Sequence, residues 1–189
     1  FGSLPVEFQM LYHCNFGPPF LEEGAKLVTP SLEGAPRDAR AAEDMQTWDY
    51  YKAPEAGYAE QNSYHDFAAA EDGSTLALLK NQAGNKGLTL RWNKNQLPCF
   101  CQWKRTASLA EGYVTGIEPG TNFPNIKTFE RQQGRVINLQ AGQTYCMDLS
   151  LEVAEDSKQV QAVESEIAKL LGNRKIQLHL QPIAKWSPL

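Results

Sequence analysis

Residues 63–80 read Ser-Tyr-His-Asp-Phe-Ala-Ala-Ala-Glu-Asp-Gly-Ser-Thr-Leu-Ala-Leu-Leu-Lys. Two runs with strand character, 63–69 and 74–80, flank Asp72-Gly73. That dipeptide turns readily, because glycine tolerates positive φ and aspartate hydrogen-bonds nearby backbone. The stretch reads as a β-hairpin, and similar text extends from it in both directions. Downstream come Gly87–Trp92, Cys99–Arg105, Tyr113–Glu118 and Arg135–Leu139, then Tyr145, Met147, Leu149, Leu151 and Val153 at period two. Upstream, Val6, Phe8, Met10 and Tyr12 alternate with Glu7, Gln9, Leu11 and His13, until Asn15-Phe16-Gly17-Pro18-Pro19 ends the ladder. Residues 31–62 read as a long polar excursion.

One helix stands apart. Val160, Val163, Ile167, Leu170 and Leu171 recur at helical spacing between Asp156-Ser157 and Gly172, which mark a helix over 157–171. Its apolar stripe suits a cover over a sheet. A last strand is expected over 175–180. Many short strands with glycine, proline and asparagine between them predict a mainly β protein, an antiparallel sandwich or barrel.

Composition narrows the function classes. The 189 residues suit one domain over 1–189 with a sizeable core, and the large apolar residues run throughout, which excludes disorder. Eighteen basic against 22 acidic residues argue against nucleic acid as a partner. No apolar run approaches the ~20 residues of a membrane helix. Cys14, Cys99, Cys101 and Cys146 include no CxxC pair, so they read as free thiols of a cytoplasmic protein. The chain opens on Phe1 and enters strand-like text almost at once, which reads as the C-terminal part of a longer chain.

Three places could carry chemistry. His13 lies on the strand face opposite Val6, Phe8, Met10 and Tyr12, just before a loop. It is either a proton-transfer group or a hydrogen-bonded strand-end histidine. Glu118 closes Tyr113-Val-Thr-Gly-Ile-Glu118, and Gly116 leaves its face open; it is either a carboxylate held by a rigid element or a surface glutamate before a turn. Gln102 and Lys104 share a face, with Trp103 on the other. They suit either hydroxyl recognition or protection of an edge strand. His65, in a segment that also carries Glu60, is either a substrate contact or a hairpin-end histidine, and His179 reads as structural. No metal-ligand spacing and no nucleotide or nucleophile-elbow motif occurs.

Read together, these segments resemble the galactose mutarotase-like (aldose 1-epimerase) superfamily, and most closely an uncharacterised bacterial branch of it. The resemblance is carried by Leu-Tyr-His-Cys-Asn-Phe-Gly-Pro-Pro-Phe-Leu-Glu-Glu-Gly-Ala at 11–25, Ala-Pro-Arg-Asp-Ala at 35–39 and Gly-Tyr-Ala-Glu-Gln at 57–61. Leu-Pro-Cys-Phe-Cys-Gln-Trp-Lys at 97–104, Tyr-Val-Thr-Gly-Ile-Glu-Pro-Gly-Thr-Asn-Phe-Pro-Asn at 113–125 and Gly-Arg-Val-Ile-Asn-Leu-Gln-Ala-Gly-Gln at 134–143 follow in order. It implies a large antiparallel supersandwich with a small-molecule sugar in an open groove. It also implies His13 as general acid and Glu118 as general base, with no cofactor or metal. Lys104, Gln102, Arg37, Glu60, His65 and Asn15 would hold the sugar. A second histidine and an arginine of the substrate clamp would precede this stretch in such enzymes. The alternatives are a sandwich that binds carbohydrate without turnover, and a glycan-cleaving enzyme using Tyr12 or Tyr64. A homodimer that completes the sandwich is a further expectation.

Overall fold

Backbone pairing, not helix packing, organises the chain. A computed structural model describes residues 2–188. Its strands are β1 (Val6–Phe8), β2 (Cys14–Phe16), β3 (Lys26–Val28), β4 (Ser31–Pro36), β5 (Gln61–Phe67) and β6 (Ser74–Lys80). They continue with β7 (Gly87–Asn93), β8 (Cys99–Thr106), β9 (Tyr113–Gly120), β10 (Ile137–Leu139), β11 (Leu149–Ala154) and β12 (Gln177–Leu178). The helices are α1 (Ala39–Ala42), α2 (Lys127–Gln132) and α3 (Ser157–Leu171), with a 3₁₀ turn at Met45–Thr47. None of them is long and apolar enough to cross a membrane.

Six strands form one sheet in the order β12-β4-β5-β8-β9-β2, four form a second as β11-β7-β6-β3, and β1 pairs with β10. Every pairing is antiparallel except β12 on β4. The core lies between the sheets. Leu79, Leu88, Leu90 and Trp92 of the smaller sheet meet Phe67, Phe100 and Ile117 of the larger, and each is almost fully buried. Burying one such side chain stabilises the fold by roughly 1.5–3 kcal/mol. Phe100 ties the layers together, with ring centroids 4.5 Å from Phe67 and 5.6 Å from Trp92. The structure is mainly β and antiparallel, as the alternation implies.

The helix over 157–171 forms as read. The Asp156 side chain accepts from Gln159 N–H and caps its start, while Val160 and Ile167 bury against Leu76, Leu78 and Ala154. Three local expectations change. The segments around Asp72-Gly73 do not pair: β5 belongs to the six-stranded sheet and β6 to the four-stranded one. The turn forms, with Gly73 at φ 89°, but it passes the chain between layers. Residues 31–36 are strand, not excursion. Gly34 and Pro36 disguise them, and Gly34 is required because the His65 ring occupies the space of its Cβ (2.8 Å from Nδ1). Of the alternating run from Val6 to His13 only Val6–Phe8 form a strand, β1, and the rest links it to β2 with a single bridge from Leu11 to Gly120.

Candidate active site

The register of the six-stranded sheet sorts its side chains onto two faces, since neighbours along a strand alternate. Cys101 stands opposite Glu118 and Tyr64 opposite Cys101. Trp103 stands opposite Gly116, and Asn15 opposite Gly116 from the other side. His13, directly before β2, falls beside Glu118. These residues share the face turned away from the four-stranded sheet. Tyr64, stacked on Phe123 at 4.5 Å, and Trp186 cover part of that face, and His13 and Asn15 lie exposed on the rest of it.

Glu118 is the unusual group on this face. Its residue is 2% exposed, and its carboxylate folds over Gly116, where a Cβ would come within 2.1 Å of Oε1. Only glycine leaves room for this arrangement. Oε1 is buried and lacks a hydrogen bond of good direction, although His13 Nε2 lies 3.1 Å away. Burial pushes the carboxyl up to about 7, against the attraction of His13. A buried carboxylate near neutrality with one oxygen unsatisfied is suited to taking a proton from a ligand.

The His13 side chain is 51% exposed and is held on three sides. Its Nδ1 lies 2.8 Å from Asn15 Oδ1, its Nε2 faces Glu118, and Trp103 meets it edge-on at 5.4 Å and 67°. The Trp103 indole N–H donates to Glu60 Oε2 at 2.8 Å. Arg37 lies 3.9 Å from Glu60 and pairs with Asp38 at 3.0 Å. Five of the eight residues singled out in the sequence therefore meet along one rim: His13, Asn15, Glu118, Glu60 and Arg37.

The other three do not. Gln102, Lys104 and His65 point to the inner face and are almost completely buried. His65 lies between Ser31 Oγ (3.3 Å from Nδ1) and Ser63 Oγ (2.9 Å from Nε2), packed on Trp48 at 4.1 Å. Gln102 accepts from Ser63 and donates to Tyr51. Lys104 donates to the carbonyls of Thr47 and Tyr50, and burial pulls its ammonium down to about 8. They fasten residues 45–51 beneath the sheet, on the face opposite to His13 and Glu118. Trp103, on the face opposite to these three, stands beside His13 instead. Its pairing with Gly116 in the ladder was the available signal.

Cleft size does not identify this site. A cleft of about 660 Å³ lies between β11, β7 and α3, and its Arg91 is already paired with Glu152 and Glu166.

The family model described as "Domain of unknown function (DUF4432)" matches residues 2–153. The crystal structure of a protein titled a "putative aldose 1-epimerase" from Klebsiella pneumoniae subsp. pneumoniae MGH 78578 superposes with a TM-score of 0.94 at 40% identity. The alignment covers 96% of this chain and 47% of that one, so this chain spans about half its length. No curated protein matches the sequence.

Proposed function

The chain belongs to the DUF4432 family and has an aldose 1-epimerase-like fold, and from this premise we propose that it interconverts the anomers of a free sugar by acid–base catalysis at His13 and Glu118. The observation that carries the reading is the pair itself: a buried carboxylate with an unsatisfied oxygen, 3.1 Å from a half-exposed imidazole, on an open face.

Glu118 takes the proton of the anomeric hydroxyl as the ring carbon–oxygen bond breaks. His13 delivers a proton to the ring oxygen that leaves. Atoms and charge balance within the sugar and the pair. Rotation about the first carbon–carbon bond presents the other face of the carbonyl, and the reverse transfers close the ring. Each positioned transfer contributes about 10²–10⁴-fold. The half-exposed His13 can withdraw from Glu118 to admit the sugar, whereas Glu118 stays fixed over Gly116. The Trp103 ring offers an apolar wall, and Glu60 and Arg37 offer polar groups to hydroxyls. The four free cysteines support a reducing compartment for the reaction.

The test is anomer exchange by saturation-transfer NMR over a panel of aldoses, with wild type beside His13→Ala and Glu118→Gln. Catalysed exchange in wild type, lost in both variants, supports the assignment. Absence of exchange for every aldose overturns it, and sugar binding without exchange would replace it with the binding-module reading. Because the base must be ionised, the rate is expected to fall as pH drops below about 7.

A further inference from the structure

We propose that Asn15 is a positioning residue: it fixes His13 as the Nδ1–H tautomer and so reserves Nε2, the nitrogen facing Glu118, for proton exchange. The inference rests on the proposed role of His13 for its catalytic consequence, but its readout needs no turnover.

A neutral imidazole carries one N–H, and the hydrogen bond made by one ring nitrogen decides the state of the other. Asn15 Oδ1 can only accept, so at 2.8 Å it requires the proton on Nδ1. The opposing contact is less well directed. Nε2 and Glu118 Oε1 are 3.1 Å apart, yet Oε1 gains no hydrogen bond, so Nε2 is not the atom that orients the ring. Two features make Asn15 available for this task. It lies two residues from His13 on the same face of the strand, and its cross-strand partner is Gly116, which has no side chain to compete for the amide. The edge-on Trp103 closes the remaining side and hinders a flip of the ring. With Nδ1 held, the doubly protonated ring passes its Nε2 proton to the ring oxygen and is left as the Nδ1–H tautomer, whose bare Nε2 takes a proton back from Glu118, all without a change of tautomer. Asn15 then acts through His13 and does not contact the sugar, which differs from the role the resemblance implies for it.

The decisive measurement is a long-range proton–nitrogen correlation spectrum of the ¹⁵N-labelled chain with the rings neutral. His13 is identified by its loss in His13→Gln, and His65 and His179 serve as internal references. Wild type is expected to show a protonated Nδ1 and an unprotonated Nε2. Asn15→Leu, similar in volume but without an acceptor, should move His13 toward Nε2–H, while Asn15→Asp retains Nδ1–H. Anomer exchange in Asn15→Leu should fall on the order of 10-fold, the size of one neutral hydrogen bond. A wild-type Nε2–H signal, or an unchanged tautomer in a folded Asn15→Leu, overturns the inference. Wild type that shows Nδ1–H but exchanges no aldose would sink the epimerase reading and leave the assignment of Asn15 supported.

Discussion

The two faces of the six-stranded sheet hold similar chemistry to opposite ends. Each has a histidine beside polar partners: His13 with Asn15 and Glu118 outside, His65 with Ser31 and Ser63 inside. Inside, both ring nitrogens of His65 have hydroxyl partners and no charge is exposed to a ligand. Burial drives that ring down to about 3, so it stays neutral. Outside, a carboxylate is buried with an oxygen left unsatisfied and its conjugate partner half exposed. The protein completes the hydrogen bonding of His65 and leaves Glu118 Oε1 without a partner.

The sharpest way to break this contrast is Glu118→Gln. It should remove about 10²–10⁴-fold of catalysed anomer exchange while making the protein more stable. The folded carboxyl titrates at about 7 against an ordinary 4.5, so its stabilising contribution is complete below 4.5 and lost as pH rises through 7. Above pH 7 the variant no longer buries a charge, and a gain of up to about 3 kcal/mol, read from denaturant midpoints, is expected. The gain should vanish below pH 4.5. A variant that is less stable at every pH would place Glu118 with the structural residues of the inner face.

The inner face makes the opposite prediction. The folded His65 titrates at about 3 against 6.5, so its contribution is complete above 6.5 and lost as pH falls toward 3. Acid should therefore destabilise the fold by up to about 4 kcal/mol from this residue. Replacement by Asn should flatten the dependence of Tm on pH across that window and leave wild-type-like exchange per folded molecule. If His65→Asn abolished exchange without altering the acid limb, the inner network would belong to the site.

How much of this was legible in the sequence follows the same division. The strand runs around β6 to β9 and the helix over 157–171 could be read, because period and punctuation are local properties, whereas the approach of His13 to Glu118 at 3.1 Å is long-range and was implied only by the resemblance. Which face of a strand opens to solvent is not local. Gln102 and Lys104 were rightly given one face and Trp103 the other, but two polar residues pointing into a core contradict the usual burial pattern. That pattern yields here because the segment 45–51 supplies carbonyls and a tyrosine hydroxyl to receive them. Strand β4 was hidden for a related reason. Its glycine looks like a breaker and serves a ring from the neighbouring strand.

Two glycines now allow the comparison to be made with a single methyl group on each face. At Gly116 an added Cβ would lie 2.1 Å from Glu118 Oε1, and at Gly34 it would lie 2.8 Å from His65 Nδ1. Neither position has positive φ, so alanine brings no backbone strain and its effect is the collision alone. On the open face Glu118 can swing outward to escape. Gly116→Ala should therefore fold with little loss of Tm but exchange anomers about 10²-fold more slowly, because a base displaced by about an ångström is poorly aligned. On the inner face His65 has nowhere to go. Gly34→Ala should cost roughly 1–3 kcal/mol as overpacking, with exchange per folded molecule unchanged. Paired measurements of exchange rate and denaturant midpoint decide the matter. A Gly116→Ala protein with wild-type exchange would show that the placement of Glu118 over that glycine is not needed for the chemistry, and the assignment of the open face as the active one would fall with it.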